Sequence, residues 1–131
     1  MKVASLDTNA ILRWLVGDIP SQQRTVDELL QRDTMYHVAD AAVIEATFVM
    51  EKVMFFPREL VAEHLQVLMA QSSLAINRAL FSKVITLYPK YTSESFMDCC
   101  LAVYAQLDDV TPLLTFDKNL AKHLPAAQLI C

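Results

Sequence analysis

The sequence predicts an α/β domain in three layers, with a central, mostly parallel sheet flanked by helices. Three observations predict it. Short apolar runs of strand length alternate with longer stretches of helical periodicity, the pattern of parallel pairing with helices on both faces. No linker, internal repeat or low-complexity segment breaks the alternation. The 131 residues, 54% apolar and 20% charged, suit one compact domain over 1–131 with a single core.

The elements follow in order. Val3 to Leu6 reads as a buried strand. Thr8 to Val16 reads as a helix, stopped by Gly17-Asp18-Ile19-Pro20. Ser21 is the expected cap of a second helix running to about Arg32, with Val26, Leu29 and Leu30 as its apolar stripe. Met35 to Ala39 is the second strand. Asp40 is expected to cap a third helix that continues to about Met54. Phe55-Phe56-Pro57 is a turn, with Pro57 suited to the first position of the next helix. That helix runs to about Ala70. Leu74 to Ile76 is a short strand, and Arg78 to Tyr88 a helix ending before Pro89. Ser95 caps a helix to about Gln106. Pro112 to Phe116 is a strand, Lys118 to Leu124 a short helix, and Gln128 to Ile130 the last strand.

Composition narrows the function. Charges interrupt every apolar run well before the roughly 18 residues of a membrane span. Asp7 stands where a signal peptide needs an apolar stretch, so a cytoplasmic location is expected. The three cysteines, Cys99, Cys100 and Cys131, are odd in number and two are adjacent, which argues against a disulfide framework. Neither Cys-x-x-Cys nor His-Glu-x-x-His is present, which argues against a zinc site. His37, His64 and His123 are scattered and read as surface or half-buried side chains. Gly17 is the only glycine, which rules out a glycine-rich phosphate loop. Net charge is −4 and there is no basic run. A nucleic-acid enzyme of this composition needs a cation, or a local set of Arg and Lys, to meet the phosphates.

Ligands of such sheets bind beyond the carboxyl ends of the strands. Asp7 directly follows the first predicted strand and Asp117 a later one, Asp98 lies in the first turn of its helix, and Glu45 lies early in the third helix. All four are expected at one rim. Each has a simpler reading: Asp7 and Asp117 as helix caps, and Asp98 as part of a capping box with Ser95 or as an acid favoured by the helix dipole. Glu45 resists this, because its neighbours three and four residues away are Ala41, Ala42, Phe48 and Val49. Asp98 precedes Cys99, Cys100, Leu101, Ala102 and Val103 as the only acid of an apolar helix. Lone acids on apolar surfaces need a partner, and a divalent cation relieves the repulsion of clustered carboxylates. Oxygen donors favour Mg²⁺ or Mn²⁺. Such an ion activates a bound water for phosphodiester hydrolysis.

These segments resemble those of PIN-domain proteins. Leu6-Asp7-Thr8-Asn9-Ala10-Ile11-Leu12 is similar to the opening of that family. Val43-Ile44-Glu45-Ala46-Thr47-Phe48-Val49-Met50, Ser95-Phe96-Met97-Asp98-Cys99-Cys100-Leu101-Ala102 and Leu114-Thr115-Phe116-Asp117-Lys118-Asn119-Leu120 are similar to its later acidic segments, in order along nearly the whole chain. Many relatives carry small residues where Cys99 and Cys100 stand. The size is similar to that of VapC-type toxins. The resemblance implies an Mg²⁺- or Mn²⁺-dependent endoribonuclease, usually a homodimer, held inactive by a cognate antitoxin protein. It implies Asp7, Glu45, Asp98 and Asp117 as metal-site acids, with Asn9 and Thr115 as polar supports. Arg13, Lys118 and Lys122 are candidates for RNA phosphate contacts, against the simpler reading of solvated charges.

Two rival enzymes fit less well. A haloacid-dehalogenase-type phosphatase needs a second aspartate two residues after the first, where Asn9 stands. A receiver domain leaves Glu45 unexplained. A third rival keeps the fold as a catalytically inactive interaction module. The apolar turn Val53-Met54-Phe55-Phe56-Pro57 reads as a core plug or as a partner surface.

Overall fold

The computed structural model describes residues 2–130, so Cys131 lies outside the described residues. The chain divides into two compact units, one ending at Arg78 and the other starting at Ala79.

The first unit holds a parallel sheet in the order β1 (Lys2–Ser5), β2 (Thr34–His37), β3 (Leu74–Ala75). Val3 pairs with Met35 and Tyr36 with Leu74. β1 is at the edge of this sheet and Val3 is 70% exposed, where a buried strand is expected from its apolar run. Helix α1 (Thr8–Val16) has the expected bounds. It buries Ile11, Leu12 and Leu15, spaced for one helical face. Gly17 ends it at φ 71, donating its N–H to the Arg13 carbonyl, a left-handed turn that glycine adopts without steric cost.

Helix α2 (Pro20–Leu30) begins one residue before the predicted cap Ser21. Pro20 is its first residue rather than part of a stop, because proline's fixed φ suits that place. Helix α3 (Asp40–Phe48) is capped by Ala39, with Asp40 already helical. The predicted continuation to Met54 is a π-helical segment, Val49–Val53, in which the Met54 N–H reaches back to the Val49 carbonyl. Pro57 precedes α4 (Arg58–Met69) as its cap. Helix α1 packs on α2, α3 and α4, and Val43, Met50, Val61, Leu65 and Leu68 complete the core. Arg78 closes the unit by donating to the carbonyls of Met69, Gln71 and Leu74.

The second unit holds α5 (Arg78–Leu87, from its second residue), α6 (Phe96–Leu107), β4 (Leu113–Thr115), α7 (Lys118–His123) and β5 (Ala127–Leu129). β4 and β5 pair in parallel, Leu113 with Ala127 and Thr115 with Leu129. Phe96 stacks on Phe81 and meets Tyr88 edge-on, at centroid distances of 6.2 and 5.3 Å. Ala102, Leu120, Leu124, Ala126 and Ala127 form a buried cluster. Cys99 and Cys100 are both buried on α6. The predicted α/β class with parallel strands thus holds.

Candidate functional site

Two of the four acids lie in the first unit. β1 ends at Ser5, so Leu6 separates the strand from Asp7. Asp7 is the N-cap of α1, and its Oδ1 accepts from the Ala10 N–H at 2.8 Å. Cap geometry therefore explains part of this residue, as aspartate's preference anticipates. The cap uses Oδ1 alone and leaves Oδ2 without a hydrogen bond among the described residues.

Glu45 departs from expectation. α3 buries Val43, Ala46 and Thr47, and Glu45 is on the exposed side beside Phe48, which is 60% exposed. The apolar neighbours therefore do not bury its carboxylate, and the argument from an isolated buried charge fails for it. The carboxylate makes no hydrogen bond or ion pair with another described residue. Asn9 is exposed at the second position of α1 and lines a groove of about 230 Å³ with Ala10, Arg13, Gln22, Thr25 and Val26. Arg13 is already committed, with Nη1 2.6 Å from Asp18 Oδ2.

The second unit repeats the arrangement of Asp7. β4 ends at Thr115, Phe116 intervenes, and Asp117 is the N-cap of α7. Its Oδ1 accepts from the N–H groups of Asn119 at 2.9 Å and Leu120 at 3.0 Å, again leaving Oδ2 uncommitted. Thr115 Oγ1 accepts from the Asp117 N–H at 3.0 Å. Thr115 thus holds the backbone of Asp117 and not its carboxylate, because the strand has ended before Asp117 and the two do not share a strand face. Ser95 caps α6 as expected, accepting from the Asp98 N–H at 3.0 Å. The capping box is half made: the Asp98 carboxylate returns no bond and is left half-buried without a partner among the described residues. Lys118 and Lys122 are exposed on α7.

Sequence reasoning missed Glu94. It is 1% exposed, with Oε1 3.3 Å from Nδ1 of the half-buried His123 and Oε2 accepting from the Ser93 hydroxyl. Its neighbours Thr92, Ser93 and Ser95 are polar and its partner is 29 positions away, so no local signal marks it. Burial pushes the His64 pKa below the ordinary 6.5, and the charge of Glu63 partly opposes this.

Carboxylate oxygens are the donors a hard cation takes, and each unit offers them: Glu45 and Oδ2 of Asp7 in the first, Asp98 and Oδ2 of Asp117 in the second. Among the described residues, however, no three His, Cys, Asp or Glu side chains are gathered as a metal-binding group. No described helix is long and apolar enough to cross a membrane. No curated protein and no solved structure matches the chain. The family profile described as PIN domain matches residues 4–123, a span that includes all four acids, and the chain therefore belongs to the PIN-domain family, whose members are typically nucleases that use divalent metals.

Proposed function

We propose that this protein is an Mg²⁺- or Mn²⁺-dependent endoribonuclease, acting as one nuclease domain with Asp7, Glu45, Asp98 and Asp117 as its metal-holding acids. The observation that carries this reading is the uncommitted oxygen on each of the four acids within a PIN-domain match. When bound, the cation supplies a lowered water pKa and neutralises charge on the phosphate.

The chain's own residues do the rest. Capping through Oδ1 fixes the Asp7 and Asp117 side chains, so that Oδ2 is presented with little rotational freedom to lose. Thr115 fixes the backbone that carries Asp117. Asn9 supplies an amide that can donate to a phosphate oxygen or orient Asp7. Lys118 and Lys122 offer exposed ammonium groups to the RNA backbone, and Arg13 does so only by sharing or leaving Asp18. With a net charge of −4, these few cations and the bound ion carry the phosphate attraction.

The test is cleavage of a labelled RNA with Mg²⁺, with Mn²⁺ and with EDTA, using wild type and Asp7→Asn. Cleavage that needs metal and disappears in Asp7→Asn is expected; EDTA-resistant cleavage, or equal cleavage by both proteins, overturns the reading. We further propose that the protein is the toxin of a toxin–antitoxin pair and works as a homodimer in the cytoplasm. Expressed alone, wild type should then slow growth and Asp7→Asn should not, and co-expression of the neighbouring antitoxin gene should restore growth. The alternative is a catalytically inactive PIN-fold interaction module. Metal binding without RNA cleavage would establish it.

A further inference from the structure

Glu94 is the only buried charged side chain among the described residues, and its carboxylate has no solvent exposure. An ionised group in such a place is costly unless it is paired and hydrogen-bonded. Its bond to His123 joins two segments of the second unit. On one side, Glu94 directly precedes Ser95, the cap of α6, whose third residue is Asp98. On the other, Oε1 is 3.3 Å from Nδ1 of His123, the last residue of α7, whose cap is Asp117. Three loop residues converge on that imidazole. Ser93 Oγ is 3.4 Å from Nδ1, and the Tyr91 ring stacks on it at a centroid distance of 5.8 Å and an angle of 22°. The Glu94 N–H donates to the Tyr91 carbonyl at 3.0 Å, which closes the loop on itself.

We propose that Glu94 is a positioning residue for Asp98 and Asp117, bracing the loop that starts α6 against the far end of α7. The proposal rests on the metal-dependent nuclease reading above. α7 has six residues, so its end governs the direction of the whole rod. A helix of that length is not stable by itself and takes its orientation from its contacts. Leu120 and Leu124 supply apolar contact, which is non-directional. The bond from His123 to a buried carboxylate adds a fixed direction. An apolar side chain at 94 could fill the same space without fixing it, and this is the role that retained buried polar pairs serve in some proteins.

The test compares Glu94→Met, which keeps bulk and loses the bonds to Ser93 and His123, with Glu94→Gln, whose amide keeps an acceptor for His123. Mn²⁺ binding, RNA cleavage and hydrogen exchange of the metal-free protein are read on the full chain. Glu94→Met is expected to stay folded, with exchange of the Leu120–Leu124 amides about tenfold faster. Its Mn²⁺ Kd should rise about 10- to 100-fold, the usual cost of losing an outer partner of a metal site. Glu94→Gln should restore both. Unchanged exchange and unchanged Mn²⁺ affinity in Glu94→Met overturn the proposal, as does an equal defect in Glu94→Gln. If Glu94→Met does not fold, His123→Phe keeps the ring against Tyr91, removes Nδ1 and is held to the same outcomes. Failure of wild type to bind Mn²⁺ and cleave RNA overturns the nuclease reading instead, and the exchange measurement still decides the brace.

Discussion

Replacing Asp117 by Asn and by Ala separates a helix cap from a metal ligand. Oδ1 of Asp117 holds the N–H groups of Asn119 and Leu120, and its charge lies at the positive end of α7. Asn keeps an equivalent Oδ1 and loses the charge, a change of about 0.5 kcal/mol at a partly exposed helix end. Ala loses the cap as well, which costs a further ~1 kcal/mol. For a chain of this size each kcal/mol moves Tm by about 4 °C. In EDTA, Asp117→Asn should therefore melt about 2 °C below wild type and Asp117→Ala about 6 °C below. Metal changes the order of effects. A ligand that binds only the folded state adds about 2.7 kcal/mol at roughly 100 Kd. Wild type should gain about 10 °C as Mn²⁺ is raised, and both variants should gain much less because each lacks the carboxylate. RNA cleavage should be lost in both. Differential scanning fluorimetry across a Mn²⁺ titration, with cleavage measured beside it, reads every arm. Wild-type metal response and cleavage in Asp117→Asn would refute the reasoning and leave Asp117 a cap alone.

Glu45→Gln touches no partner, so stability in EDTA should stay within about 0.5 kcal/mol of wild type while RNA cleavage falls more than about 100-fold; retained cleavage removes Glu45 from the site. The two phenylalanines of the apolar turn should behave differently, because Phe55 is 82% exposed while the Phe56 ring packs on His64 at 5.7 Å. Phe56→Ser should lower stability by about 1–2 kcal/mol, less than a full core deletion, and Phe55→Ser should not, so any loss of dimer or antitoxin binding at unchanged Tm belongs to Phe55. Equal destabilisation by the two would contradict this division. Burial lowers the His64 pKa, so the unfolded chain takes up that proton first and stability falls as pH drops through about 6.5. His64→Gln should lose less Tm than wild type between about pH 7.5 and 5, and parallel Tm curves would show that His64 does not contribute.

Local hydrogen bonding was legible in the sequence. The limits of α1, the cap of α6 by Ser95 and the capping reading of Asp7 and Asp117 all depend on bonds to residues no more than four positions away. Strand alternation fixed the parallel class for the same reason: two-residue and 3.6-residue periods are properties of short windows. The order of the four acids was legible too, and it carried the family resemblance.

Burial and pairing were decided by tertiary structure. The apolar residues of α3 surround the helix, so periodicity could not choose its buried face, and packing against α1 placed Val43, Ala46 and Thr47 inside and Glu45 outside. The π-helical turn after Phe48 has no local breaker to announce it, and it ends with the Phe56 N–H on the Met50 carbonyl. Phe55 and Phe56 are chemically identical neighbours, and the fold separates them by leaving Phe55 82% exposed and packing the Phe56 ring on His64. Glu94 lies in a polar loop that reads as solvent-exposed, yet it is buried and bonded to His123, 29 residues away. A cap or a turn is fixed by atoms a few bonds away, whereas the exposure of a side chain is fixed by whatever distant segment folds onto it.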